Sequence, residues 1–254
     1  MYTYATLVDI GVSEKHNDDR ALINNMIVEE GSFSGIINED YFVASICDGV
    51  GGLAKGYLAA EITLDFFKHL NRKNVSIETI KKAVEEANRR VKERQIIEDM
   101  QGGMRTTIAG IYVNGEAAIV YNAGDSRVYR FRHKYLLQLS KDHSLVQDLV
   151  DLGQLLREDI KKHPKKNVIN KCIGHDTEVN ARVMDISGEY SVGDIVMICS
   201  DGITDYVDDN SIKDIILAHK KDVDLSACCK EIYTCAVEAG SLDNMSIILI
   251  RKDV

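Results

Sequence analysis

Apolar positions fall along this chain in two rhythms, and the alternation between them predicts the elements. Tyr41–Cys47 (YFVASIC) is a short, unbroken apolar run that ends at Asp48-Gly49, the pattern of a buried strand. Residues 194–200 (DIVMICS) and 245–250 (MSIILI) read the same way. Residues 106–113 and 116–121 flank Asn114-Gly115, which predicts a hairpin on a tight turn whose central residues take positive φ. Residues 126–131 and 135–139 continue that meander. A helical rhythm appears over residues 59–70, 76 to about 97, 211–219 and 224–239. In the second of these, Ile80, Val84, Ala87 and Val91 form one stripe, Ser76 is placed to cap the first turn, and Glu78 suits its positive dipole end. Strands come in hairpin-linked runs and helices in pairs. The expected class is α+β, with antiparallel sheets and helices packed outside.

Composition narrows this picture. The 254 residues hold a single proline, Pro164, with no low-complexity tract and no fixed-period repeat, so one domain over 1–254 is expected. A net charge of −9 argues against nucleic acid as a partner, since phosphate-backbone binding needs a basic face. No apolar run of about 18 residues predicts a membrane span, and the first residues, Met1 to Ala5, lack the basic and apolar regions of a signal peptide. The six cysteines form no Cys-x-x-Cys pair, and Cys228 and Cys229 are adjacent. Cys47 and Cys199 sit in apolar runs as small hydrophobes. A reducing, cytoplasmic location is expected.

The chemistry lies in the aspartates. Asp18-Asp19 follows Asn17; Asp48-Gly49 closes a buried strand; Asp125 sits in Gly124-Asp125-Ser126-Arg127 between strands; Asp201-Gly202 follows another strand; Asp243-Asn244 precedes the last. Each alone is an ordinary turn, because Asp-Gly and Asp-Asn are common turn dipeptides. Five acidic points at strand mouths, however, can converge on one end of a sandwich. Carboxylates brought together raise one another's pKa unless cations compensate. Mg²⁺ and Mn²⁺ prefer such oxygen ligands, and two ions bridged by a carboxylate can share a hydroxide and clamp a phosphoryl group.

In this order and spacing the chain resembles the metal-dependent protein phosphatase family, type 2C, in its short bacterial form. The resemblance runs through Asn17-Asp18-Asp19, Asp48-Gly49-Val50-Gly51-Gly52, Gly103-Met104-Arg105-Thr106-Thr107 and Gly124-Asp125-Ser126-Arg127. It continues through Leu139-Ser140-Lys141-Asp142-His143-Ser144-Leu145, His163-Pro164, Cys199-Ser200-Asp201-Gly202 and Asp243-Asn244. It implies a four-layer α-β-β-α sandwich and hydrolysis of phosphoserine and phosphothreonine in proteins. The attacking group would be a hydroxide held between two Mn²⁺ or Mg²⁺ ions. By matching positions, Asp48 is the bridging carboxylate and the Gly49 carbonyl a ligand of one ion. Asp201 and Asp243 hold the other ion, Asp19 contributes from the acidic pair, and Asp125 binds a third, weaker ion. Asp19, Asp48, Asp201 and Asp243 are the expected catalytic set, and residues 147–170 the mobile flap beside the site. The implied partners are phosphorylated proteins, among them a Ser/Thr protein kinase and its substrates.

Two positions depart from the family pattern. Val50 stands where eukaryotic members often carry a His proposed as the leaving-group acid, so water would protonate the leaving alkoxide. Four residues before Asp18, where similar enzymes place a phosphate-binding Arg, the chain has Glu14; the adjacent Lys15 is the candidate substrate contact. His16, His143 and His163 read as solvated or structural. No Cys-x5-Arg loop is present for a phosphocysteine route, and no Gly-rich loop ending in Gly-Lys-Ser/Thr for nucleotide binding. The alternative is a pseudophosphatase that binds phosphoproteins without hydrolysis, but none of Asp48, Asp201 or Asp243 is lost.

Overall fold

The computed structural model describes residues 1–50, 55–70, 75–100, 103–175, 178–219 and 224–253. Among these residues, twelve strands form two six-stranded antiparallel sheets. The first has the order β4 (Gly31–Ile37), β1 (Tyr2–Asp9), β12 (Met245–Lys252), β11 (Ile195–Cys199), β8 (Arg127–Arg132), β9 (Tyr135–Gln138). The second runs β10 (Arg182–Asp185), β7 (Ala117–Ala123), β6 (Ile108–Asn114), β5 (Tyr41–Cys47), β2 (Arg20–Ile23), β3 (Met26–Val28).

The sheets pack face to face, and each is covered outside by helices. α1 (Gly56–Lys68) and α2 (Ile77–Ile97) lie on the second sheet; α5 (Asp209–His219) and α6 (Leu225–Glu238) lie on the first. This layering explains the unbroken apolar runs. Along β5, Phe42, Ala44 and Ile46 enter the core between the sheets, while Val43 and Cys47 meet α1 and α2. Along β12, Ile248 and Ile250 face inward, while Ile247 and Leu249 meet the other helices. With both faces covered, polar alternation disappears. The result is the α-β-β-α sandwich that the sequence leads one to expect.

Helix starts follow the capping chemistry. The Ser76 side chain accepts from the Thr79 N–H (3.2 Å), and Asp224 accepts from the Ser226 and Ala227 N–H groups (both 3.0 Å). One turn differs from expectation. Asn114 pairs with Ala117 as the last strand residue, so the hairpin turns on Gly115-Glu116, and of these only Gly115 takes positive φ (58°). Glycine at the first central position suits that geometry without the second residue following. Two short helices also went unpredicted: α3 (Leu145–Asp151) and α4 (Asp201–Thr204). The 147–170 segment carries most of α3 and a 3-10 turn at Arg157–Lys162. All six cysteine thiols are free, Cys47 and Cys199 fully buried. Among the described residues, no helix is long and apolar enough to cross a membrane.

Candidate active site

Every sequence-predicted aspartate reaches the same end of the sandwich. Asp19 immediately precedes β2 and Asp48 follows β5, and these strands pair with Arg20 opposite Cys47. From the other sheet come Asp125 ahead of β8, Asp201 at the start of α4 after β11, and Asp243 ahead of β12. Cys199 pairs with both Arg127 and Ile247 there.

Close backbone contact fixes the loops that carry them. A Cβ on Gly49 would stand 2.6 Å from the Gly56 carbonyl carbon and 2.8 Å from the Asp18 Cβ; one on Gly202 would stand 2.1 Å from the Asn244 oxygen. Only glycine allows either approach. Around Asp48, its N–H donates to Thr107 Oγ1 (3.1 Å) and its carbonyl accepts from Thr106 Oγ1 (2.9 Å). The Asp18 N–H donates to Asn244 Oδ1 (2.7 Å), whose amide donates to the Ile10 carbonyl (2.8 Å). Arg20 donates to the Asn17 and Asp19 carbonyls (2.7 and 2.8 Å) and to Glu61 (3.1 Å), tying this loop to α1.

The acidic pair divides its labour. Asp18 Oδ1 accepts from the Tyr57 N–H (3.0 Å) and so caps α1, whose own N-cap residue, Lys55, supplies no side-chain bond. Asp19 is turned inward and buried, and among the described residues neither of its carboxylate oxygens has a hydrogen-bond partner. The nearby Ser200 and Ser246 hydroxyls lie 3.1 Å from each other instead. Asp125 Oδ1 is likewise buried and unpartnered. Orphaned acceptors of this kind are costly unless a ligand completes them.

Electrostatics bind the five into one cluster. Burial, and then Asp19, Asp201, Asp243 and Asp125 together, push the Asp48 carboxyl well above the usual range, so it feels all four others. Burial pushes Asp19 up to about 7, helped by Asp243 and Asp201, with the two serine hydroxyls opposing. Asp201 also rises to about 7, first from burial and then from Asp243 and Asp205, while a hydrogen bond with Asp48 opposes. Burial leads for Asp125 as well, followed by Asp201 and Asp142; for Asp243, Glu14 and Asp205 add to burial. The donor set, carboxylates plus the Gly49 carbonyl, fits a hard divalent cation. The carboxylates converge, but among the described residues no three His, Cys, Asp or Glu side chains stand already set to hold an ion.

Two neighbours escape sequence reasoning. Lys166, from the 147–170 segment, pairs with Asp205 and lines a small cavity with Asp125, Ser144, Asp201 and Thr204. It is the cation that opposes the rise of both Asp201 and Asp243. The signal for Asp205 is its spacing, four residues after Asp201 with its N–H on the Asp201 carbonyl (2.9 Å), which places both on one helical face. Nothing in the sequence joins Lys166 to it.

The remaining candidates fall outside the cluster. Lys15 is exposed, and nothing among the described residues directs its ammonium at the carboxylates, whereas Glu14 lies near enough to Asp243 to raise it. His143 Nδ1 accepts from the Gly124 N–H (3.3 Å), and burial lowers this imidazole to about 4, which keeps it neutral. His163 Nδ1 accepts from the Lys165 N–H (3.2 Å), and His16 is exposed. Arg127 is locked to Asp142 (2.6 and 3.0 Å). Gly51 and Gly52 lie outside the described residues.

No protein-family model matches the chain. It is 26% identical over 253 residues to the serine/threonine phosphatase Stp of Listeria monocytogenes, covering 97% of this chain and 94% of that one. Among solved structures, the Streptococcus agalactiae serine/threonine phosphatase superposes with a TM-score of 0.84 at 26% identity, both chains fully covered. The catalytic domain of the phosphatase PstP, solved in complex with two manganese ions, shares the fold at 24% identity (TM-score 0.77, 99% of each chain). By motif order, two-sheet architecture and these likenesses, the chain resembles the bacterial-type members of the type 2C protein phosphatases.

Proposed function

We propose that this chain is a metal-dependent protein serine/threonine phosphatase that acts on phosphoproteins, Ser/Thr kinases and their substrates among them. One observation carries the reading: Asp48 sits within electrostatic reach of four other buried or half-buried carboxylates, two of which end in orphaned oxygens. Asp19, Asp48, Asp201, Asp243 and the Gly49 carbonyl would hold two Mn²⁺ or Mg²⁺ ions. Bound there, such ions supply an acidified water as nucleophile and positive charge for the phosphoryl oxygens.

The chain's own residues do the rest. The Thr106 and Thr107 hydroxyls fix the backbone of Asp48, so the central carboxylate stays aimed into the cluster. Arg20 and Asn244 clamp the strand ends on either side. Val50 brings no proton, so the leaving alkoxide would take its proton from water. Phosphate release from phosphoserine, phosphothreonine and phosphotyrosine peptides in Mn²⁺ tests the substrate class. Release from the first two and not the third is expected. Retention of the peptides without release would be the behaviour of a pseudophosphatase.

Asp125 is the proposed ligand of a third, weaker ion. Asp125→Ala is expected to lower turnover severalfold and to raise the Mn²⁺ concentration needed for half-maximal rate, with the melting temperature held or raised. A turn cap would behave oppositely, losing about 1 kcal/mol of stability. Lowered melting with an unchanged Mn²⁺ midpoint would defeat the assignment.

A further inference from the structure

We propose that Arg105 is the side chain that grips the substrate's phosphoryl group, the task that an acidic residue at position 14 cannot perform. This rests on the phosphatase reading above and deepens it. Gly49 and Thr106 face each other across an antiparallel bridge. The Val50 N–H donates to the Arg105 carbonyl (3.0 Å), and the Thr107 N–H donates to that of Asp48 (2.8 Å). That register sets Val50 opposite Arg105 and Asp48 opposite Thr107. Side chains alternate along paired strands, so Asp48, Val50, Arg105 and Thr107 leave this ribbon on one face. Asp48 and Arg105 are diagonal neighbours, at a spacing of roughly 7–8 Å, within reach of a long side chain.

The other edge of the ribbon agrees. Thr106 and Ile173 exchange two backbone bonds (3.0 and 2.9 Å), which sets Cys172 beside Thr107 on that same face. Burial first of all raises the Cys172 thiol, with Arg105 opposing and Asp125 adding to the rise, so both charges lie within electrostatic reach of it.

What singles out Arg105 is that its donors are uncommitted. Its Nε is buried without a partner, and it forms no ion pair or hydrogen bond among the described residues. Arg20 and Arg127 are bound to Glu61 and Asp142, and Lys166 to Asp205. A half-buried guanidinium that donates to nothing among the described residues is open to an external acceptor. Its planar fork matches two oxygens of a phosphate monoester, which a lysine meets only as a point charge.

Arg105→Ala and Arg105→Lys, each loaded with Mn²⁺, test this by calorimetric titration with inorganic phosphate and by kinetics on p-nitrophenyl phosphate. The alanine variant should bind phosphate at least tenfold more weakly and raise KM by a similar factor with a smaller change in kcat. Lysine should restore part of the loss, and the Mn²⁺ midpoint and melting temperature should not move. Phosphate affinity within twofold of wild type in the alanine variant would overturn the assignment, as would a loss that merely follows a shifted Mn²⁺ midpoint. A chain that hydrolysed no phosphoester would defeat the phosphatase reading instead, and the phosphate titration, which needs no turnover, would still decide the role of Arg105.

Discussion

Asp48→Asn is expected to give a folded protein whose kcat in saturating Mn²⁺ has fallen about a thousandfold or more. Asp48 is the carboxylate that feels Asp19, Asp125, Asp201 and Asp243 together, which makes it the proposed bridge between two ions. Removing it takes away the group common to both sites. A loss of several kcal/mol of transition-state stabilisation is then expected, at a factor of ten per roughly 1.4 kcal/mol. The fold should survive, because the backbone of residue 48 is held by Thr106 and Thr107, not by its own carboxylate. More than a tenth of wild-type turnover in the purified variant would remove Asp48 from the bridging role.

The second large effect is on stability without metal. Asp19 and Asp201 keep their protons up to about pH 7 in the folded chain, with burial as the leading cause, whereas an unfolded aspartate titrates near 3.9. Between those values the native state binds more protons than the unfolded state, so stability falls as pH rises from about 4 to about 7. A shift of roughly three units is worth on the order of 4 kcal/mol for one isolated group, an upper bound in a cluster that shares its protons. Asp19→Asn should therefore raise the melting temperature of the chelated protein by roughly 5 °C at pH 8 and leave it nearly unchanged at pH 4. Mn²⁺ should reverse the order at pH 8, stabilising the wild type more than the variant. A destabilised variant at pH 8 in chelator would show that the Asp19 carboxylate is satisfied within the protein.

Much of this was legible in the sequence because the relevant signals are local. Apolar runs such as Tyr41–Cys47 become strands covered on both faces, and Ser76 and Asp224 announce the helices they cap. The aspartates were visible as acidic residues at strand ends, where loops meet. Other elements were hidden. β4 (GSFSGII) is a mostly exposed edge strand rich in Gly and Ser, and β2 and β3 span only four and three residues, too short for a period to register. Asp18 and Asp19 look alike in sequence, and only the approach of Tyr57 makes one a helix cap while the other turns inward. The Lys166–Asp205 pair joins residues 39 apart, and the ribbon that sets Arg105 on the face of Asp48 joins segments 57 apart. Neither pairing leaves a periodic trace.

The most direct test is a single titration of the metal-free wild-type chain with Mn²⁺, following bound ions by equilibrium dialysis and phosphate release from a phosphothreonine peptide together. The account predicts no release in chelator and turnover that rises as about two ions bind per chain. Full turnover in chelator, or ions bound without any hydrolysis of the peptide, would contradict it.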